Sequence, residues 1–547
     1  MNEQHMQAQY PVIIVGAGPV GLVAANLLGQ AGIPALLIER NAGLSQQTKA
    51  DALDEESLRL CQALGLGEAI EAHVLLNLQA HFLSGRTPIA HVMPNAHGRY
   101  HGYPFLSTFY QPTFEAILLH GLERFPHIQV HFQHTAEQII QDKDSVTLTL
   151  RASDGTSRQI RCDYLLACDG SKSMIRHALS IPMQQYMRGK RWLVVDTVED
   201  DDATAAVTFF CNPARPAMTI LAPERRRRWE FMLLANEREE DFSQEESIHT
   251  LIQQGRKQLG LTGEMTAQIA HYTIYTFYAL IAQSFSQGRV FLLGDAAHLI
   301  PPFAGQGMNS GLRDAYNLCW KLAMVLHGQM SPALLDSYEQ ERVSHLRKML
   351  RFSALIGFVV TAPTRPTAIL RNVILRAVDT FSPTQHLLRE ADIKPKPRYT
   401  DGLFIPARRL ALRSLVGLML PQPTVGTLTG ETILLDDVLG HGFAMLRYTE
   451  QPNHAFSALT HAIWQELAVQ RVCVQPATCN NVAIMGSDCI VVRDGTDVIG
   501  RLLHHRRDVC LLIRPDRFIM AAFRVADIHR FVSILKQKIG KRRTKET

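Results

Sequence analysis

Residues suited to chemistry gather first in Val12-Ile13-Ile14-Val15-Gly16-Ala17-Gly18-Pro19-Val20-Gly21. Gly16, Gly18 and Gly21 follow the G-x-G-x-x-G spacing. The first glycine permits a tight turn, the second lets a phosphate approach the backbone, and the third lets helix and strand pack. Ala17 and Pro19 complete the loop, and the following helix turns its positive end toward the phosphates. Glu39 closes the next apolar run, where a carboxylate can accept hydrogen bonds from a ribose; Arg40 stands beside it. A second loop, Val290-Phe291-Leu292-Leu293-Gly294-Asp295-Ala296-Ala297-His298, ends a strand-like run on a carboxylate that could grip a polyol. A pyrophosphate cradle and a remote polyol contact point to one long dinucleotide, with FAD the candidate. Only one such fingerprint occurs, so a nicotinamide cofactor would lack a Rossmann unit of its own.

These loops need elements to hold them. Val12 to Val15 and Ala35 to Ile38 read as buried parallel strands flanking a helix, a βαβ unit. Ile128 to Phe132, Ser145 to Leu150 and Tyr164 to Ala167 read as further strands, the last leading into Cys168-Asp169-Gly170. Between about 185 and 280, short apolar runs predict an antiparallel sheet that roofs a substrate cavity. The Arg225-Arg226-Arg227-Arg228 run within it reads as an exposed hairpin turn. Met308, Leu312, Ala315, Cys319, Leu322 and Leu326 share one helical face, so a helix starts near Gly307 and buries that face. Residues 330 to 380 read as mostly helical. A linker is expected at Lys394-Pro395-Lys396-Pro397.

Composition bounds the alternatives. At 547 residues and 46% apolar content, two or three domains with a sizeable core are expected. The net charge of +5 is mild for this length and argues against nucleic acid. The dense basic stretch from Lys536 to Lys545 reads as a solvated terminus. Nine cysteines are scattered without a C-x-x-C pair, so neither a zinc site nor a dithiol site has its spacing, and no metal is expected. Free thiols fit a reducing compartment, and with no apolar run long enough to span a bilayer the expectation is a cytoplasmic protein.

The motifs Gly16 to Gly21, Asp169-Gly170 and Gly294-Asp295 together resemble the three signatures of the single-component (group A) flavoprotein aromatic hydroxylases, over about residues 10 to 345. Within that family the chain is most similar to the branch acting on hydroxyphenylpropanoates. Trp192 to Asp196, Cys211 to Pro216, Glu230-Phe231-Met232, Lys394 to Tyr399 and Arg514 to Phe518 carry this closer likeness. The resemblance implies an α/β fold: a Rossmann-like FAD-binding domain (1–185 and 280–393), an antiparallel-sheet substrate domain (186–279), and a thioredoxin-like C-terminal domain (394–547) without C-x-x-C. It implies that Glu39 holds the adenosine ribose and Asp295 the ribityl chain, that Asp169 lies in a segment serving FAD and pyridine nucleotide, and that Gln111 lies near the flavin. Lys49 stands where the branch has arginine, and Ala52 where it has glycine.

The implied reaction uses NADH or NADPH and O2 to hydroxylate a phenolic acid, such as 3-(3-hydroxyphenyl)propanoate, ortho to its hydroxyl. Gly305, Gly307, Met308 and Asn309, at the start of the helix, would face the pyrimidine edge of the flavin. A phenol ionises near pH 10, so a base should assist. Asp54, His298, Tyr272 and Tyr275 remain open for that role, each with a structural alternative: a helix cap for Asp54, a satisfied hydrogen bond for His298, sheet packing for the tyrosines. Pro302 joins the candidate catalytic residues, and Arg215 and Tyr275 the candidate substrate contacts; a structural ion pair is the alternative for Arg215. Expected partners are a small aromatic substrate and O2, with a homodimer as the assembly to test. Competing functions are a hydroxylase of polycyclic aromatic or polyketide substrates and a flavin-binding sensor.

Overall fold

A computed structural model describes residues 6–93, 99–202, 204–263, 265–380, 394–479, 489–504 and 506–540. The last residues of the basic tail, from Lys541, and residue 393 beside the expected linker lie outside them.

The first sheet has eight strands. Its central run is Val290–Leu292, Ser157–Ala167, Gln9–Val15, Ala35–Ile38 and Ile128–His131, all parallel. Both faces are covered, so the strands are continuous apolar runs rather than alternating ones. Val12, Ile13, Ile14 and Leu36 have no exposed surface. The register sets Val15 beside Ile38 and Ala167, and Ala167 beside Leu292. Four strands therefore end on one edge of the sheet, and the loops that follow them hold Gly16 to Gly18, Glu39, Asp169-Gly170 and Gly294-Asp295. Helix Pro19–Gln30 packs against helix Gln306–Leu326 above this edge. Leu312, Ala315, Cys319 and Leu322 are buried on the latter, as their spacing predicts, whereas Met308 is only half-buried.

The second sheet also has eight strands, with Gln268–Ala282, Met183–Val198, Arg226–Met232, Ala217–Ala222 and Ala206–Phe210 paired antiparallel in that order. It reaches beyond residues 186–279. Gln79–Ser84 and Thr87–Val92 add a hairpin at one edge and His298–Leu299 pairs at the other. Side chains alternate across a strand, which gives this sheet two different faces. Leu193, Val195, Trp229 and Phe231 pack beneath helix Glu245–Gln258; a Cβ on Gly255 of that helix would lie 2.5 Å from the Trp229 ring. Trp192 points the other way, 5.5 Å from the ring of Phe303 beside Gly305. The arginine run is not an exposed turn. Only Arg225 lies in the turn; Arg226 opens the strand, and Arg227 and Arg228 within it are buried at 2% and 4% exposure, because Asp200, Asp202 and Asp196 pair with them.

A third, seven-stranded sheet spans Thr424–Gly426 to Ile519–Arg524 and carries helix Ile528–Ile539. The expected linker is pinned rather than free: the Lys394 ammonium is buried and donates to both Glu55 carboxylate oxygens at 3.1 Å. Arg514, at the end of strand Val509–Ile513, forms a bidentate pair with Glu341 of helix Ser337–Val360 at 2.8 Å. No disulfide is formed among the described residues. No single helix among the described residues is long and apolar enough to cross a membrane.

Candidate active site

The glycine loop is built for a close visitor. Gly16 has φ +105°, and a Cβ there would lie 2.4 Å from the Cys168 carbonyl oxygen. A Cβ on Gly21 would strike the Gly16 oxygen at 2.0 Å, so helix and strand touch at this residue. A Cβ on Gly18 would meet nothing within 4 Å, so open space lies in front of it. The helix begins there with Pro19 in its first turn, without a side-chain cap or an acidic residue. Its end is left for an anion. Glu39 is held in place: one oxygen accepts the Ala17 N–H at 3.0 Å and the other accepts from Asn41. Arg40 is exposed beside it.

Asp295 leaves the same sheet edge three strands from Glu39, roughly 14 Å away at the usual strand spacing. The residue is exposed, yet the surrounding protein raises its carboxyl pKa against the pull of His298 and Lys49. Asp169 gives one oxygen to the Ile175 N–H at 3.2 Å; its Oδ1 is buried with no partner among the described residues. Arg176 donates to Ala296 O and Ser171 O at 3.0 Å, tying these two loops together. Gly294 and Gly305 both adopt left-handed φ, near +60°, as their turns require. Helix Gln306–Leu326 then starts without a side-chain cap, with Gly307 and Met308 in its first turn. Asn309 is a strut: it donates to Ala52 O at 2.9 Å and to Gly305 O, and accepts from the Ser57 hydroxyl. Gln111 accepts the N–H groups of Lys49 and Ala50 at 2.8 and 2.9 Å and donates to Glu115. Lys49 itself is exposed.

The candidate bases separate by geometry. Tyr275 faces the same side as Trp192, its register partner. Tyr272 lies opposite Val195 and packs with the helix-side cluster, its hydroxyl toward Ser243 O at 3.5 Å. Strand parity thus turns Tyr272 away from the face that carries Trp192 and Tyr275. Asp54 caps helix Glu55–Ala63 through the Ser57 N–H at 3.0 Å and pairs with Arg313 and Lys394. Burial would raise its pKa, but the two cations hold it well below the usual carboxylate range, so it is a poor proton acceptor. His298 is fully buried, with Nε2 2.8 Å from Asp314, behind its loop. Arg215 is bound bidentate to Glu237, leaving it no free fork for a substrate carboxylate. Pro302 accepts the Gly305 N–H at 2.7 Å and shapes the turn before the helix.

Comparison with known proteins accounts for this layout. Residues 9–353 match a family profile described as "FAD binding domain", and residues 417–538 one described as "HcaD C-terminal domain". The chain belongs to this FAD-binding family. A 3-(3-hydroxy-phenyl)propionate/3-hydroxycinnamic acid hydroxylase of Klebsiella pneumoniae (strain 342) is 35% identical over 93% of the chain and 91% of the relative. One of the same description from Mycolicibacterium smegmatis is 34% identical over 93% and 90%. In fold the chain is similar to the flavin-dependent monooxygenase PieE, solved with FAD and substrate (TM-score 0.81, 20% identity, 97% of this chain and 99% of that one). It is also similar to aklavinone-11 hydroxylase with FAD and aklavinone (TM-score 0.78, 22% identity, 99% and 100%).

The protein is therefore a flavoprotein hydroxylase with FAD as cofactor, and the open space at Gly18, the two uncapped helix starts and the exposed Asp295 fit that group. The expectations missed a polar group on the Trp192 face of the second sheet. Arg228 forms a bidentate pair with Asp196 at 2.8 and 3.0 Å and donates to Thr48 O at 2.7 Å, clamping the sheet to the Lys49 segment. Glu230, two residues on, is buried beside it. A glutamate between Trp229 and Phe231 was the one signal in the sequence, a charge inside an apolar strand.

Proposed function

We propose that this flavoprotein hydroxylates a phenolic acid of the 3-(3-hydroxyphenyl)propanoate type, ortho to its hydroxyl, with NADH or NADPH and O2. The observation that carries the reading is the 34–35% identity to hydroxylases of that description across 93% of the chain, which takes in the substrate sheet and the C-terminal sheet. When bound, FAD supplies the transfer of electrons from the nicotinamide and the activation of O2.

The chain's own residues bind and orient. In this reading the N–H groups at Gly18 and the start of helix Pro19–Gln30 take the pyrophosphate, Glu39 the adenosine ribose and Asp295 the ribityl hydroxyls. The first turn at Gly307 and Met308 stabilises negative charge on the reduced ring. Gln111 fixes the Lys49-Ala50 backbone, and Lys49 faces the phosphates as a point charge. Trp192, Phe277 and Phe303, with ring centres 5.5–6.5 Å apart, form an aromatic wall beside the flavin loop, and Tyr275 supplies a hydroxyl on the same face.

The test is nicotinamide oxidation by the FAD-loaded protein with and without 3-(3-hydroxyphenyl)propanoate. Stimulation with one catechol formed per nicotinamide oxidised supports the reading. Stimulation without product, or none at all, overturns the substrate assignment.

A further inference from the structure

We propose that Glu230 is the base that takes the proton of the substrate's ring hydroxyl; this deepens the phenol-hydroxylase reading and rests on it. Glu230 lies in strand Arg226–Met232, opposite Val194 on one side and Met218 on the other. Val194 follows Trp192 by two residues, so Glu230 shares the face that meets Phe303 and carries Tyr275. Its side chain is 3% exposed, and Oε2 is buried with no hydrogen-bond partner among the described residues. A buried carboxylate oxygen in that condition is rare unless something else completes it. A phenol hydroxyl supplies the missing donor.

The surroundings make Glu230 the available carboxylate. Asp196 and Asp51 both lie against Arg228, the first at 2.8 Å and the second at 3.7 Å. The guanidinium spends its other contacts on Thr48 O and Lys49 O. No cation among the described residues lies within ion-pair distance of Glu230. Tyr275 and His271 lie on the same face two strands away, on either side of Thr273, whose row Glu230 shares; His271 Nε2 is buried with no partner among the described residues. Met218 and Ile220 make the far side apolar. Burial, Asp51 and Asp196 push the Glu230 carboxyl up to about 8 against the opposing pull of Arg228. A conjugate acid there is much closer to a phenol, about 10, than an ordinary glutamate, about 4.3. Asp54, held low by Arg313 and Lys394, lacks that match.

The step balances without a redox partner. The phenol O–H bond breaks, its electron pair stays on the oxygen, and the proton moves to Glu230 Oε2. The ring becomes electron-rich for attack. The proton returns to an oxygen of the dihydroxylated product, which restores Glu230 as a carboxylate.

The experiment compares wild type, Glu230→Gln and Tyr272→Phe, each FAD-loaded. Two substrates are used: 3-(3-hydroxyphenyl)propanoate, and a ring-polyfluorinated analogue whose hydroxyl is already ionised at the assay pH. Product kcat/KM is followed from pH 6 to 9. Wild type should show a limb that rises through about pH 8 with the plain phenol. Glu230→Gln should lose the limb and about 100-fold in rate, within the usual range for a general base. With the ionised analogue the loss should shrink below about 5-fold, since no proton is left to remove. Tyr272→Phe, on the opposite face, should keep the limb. An equal loss for both substrates overturns the proposal. Should Glu230→Gln not fold, wild type alone decides: a limb near pH 8 with the plain phenol and none with the analogue supports it, and identical profiles overturn it. No product from either phenol in wild type overturns the phenol-hydroxylase reading itself, and this inference falls with it.

Discussion

His298 Nε2 lies 2.8 Å from Asp314 Oδ2, and that same oxygen accepts the Gly294 N–H at 3.0 Å. One carboxylate on helix Gln306–Leu326 thus fixes both ends of the loop that presents Asp295. Arg342 donates to the other oxygen at 2.6 Å, and its neighbour Glu341 receives Arg514 from the C-terminal sheet. The C-terminal part of the chain is thereby wired to the back of the flavin loop through buried ion pairs.

Breaking that junction should be costly. Asp314→Ala leaves Arg342 buried without its partner, a change worth about 3–5 kcal/mol. Burial raises the Asp314 pKa, but Arg342 and His298 lower it further, to a net value below the usual one. A depressed carboxylate stabilises the fold above its unfolded pKa, about 3.9, and that stability is lost as pH falls through the folded value. Urea unfolding at pH 7 should show the full difference between wild type and Asp314→Ala, and the gap should close below about pH 4.

Gly16, Gly18 and Gly21 should behave differently despite sharing one motif. Gly16→Ala forces a Cβ against the Cys168 carbonyl at a left-handed φ and should cost about 1–3 kcal/mol in backbone strain alone. Gly21→Ala should also destabilise the apoprotein, since its Cβ would lie 2.0 Å from a backbone oxygen. Gly18→Val should leave apoprotein melting nearly unchanged and weaken FAD binding by at least about tenfold, or about 1.4 kcal/mol. Thermal melts with a flavin titration separate the two outcomes.

Asp295→Ala should yield a folded chain that binds FAD poorly. A charged hydrogen bond contributes about 1.5–3 kcal/mol, so affinity should fall roughly 10- to 150-fold. Unchanged flavin affinity would remove Asp295 from the ribityl contact.

Glu115 gives a pH signature near the site. Burial pushes its carboxyl up to about 7, against the hydrogen bond from Gln111 and the pull of Lys49. A raised carboxyl contributes stability present below the unfolded pKa and lost as pH rises through the folded one. Wild type should therefore lose on the order of 2 kcal/mol relative to Glu115→Gln between pH 5 and 8. Denaturant midpoints of the two proteins across that window check it.

Much of this was legible in the chain because some residues answer to local geometry alone. Gly16, Gly18, Gly21 and Gly294 answer to backbone turns, and Glu39 and Asp295 to strand ends, so spacing located them. The buried face of helix Gln306–Leu326 followed from its period. What stayed open, and the one reading that was overturned, depended on parity and on partners far away in sequence. Tyr272 and Tyr275 sit on one strand three residues apart, hence on opposite faces, and the contacts of Trp192 and Phe277 with Phe303 say which face meets the loop before helix Gln306–Leu326. Arg227 and Arg228 read as exposed because their carboxylate partners come from another strand and its following loop. Asp54 stayed open between a base and a helix cap because Arg313 and Lys394, which hold its charge, lie hundreds of residues downstream.

The most direct measurement of the central claim is product mass from a turnover with NADH, 3-(3-hydroxyphenyl)propanoate and isotopically labelled O2. The account expects one labelled oxygen atom in the product, on the ring carbon next to the original hydroxyl, with one nicotinamide oxidised per product. Product labelled from water instead, or nicotinamide oxidised with no oxygenated product, would contradict it.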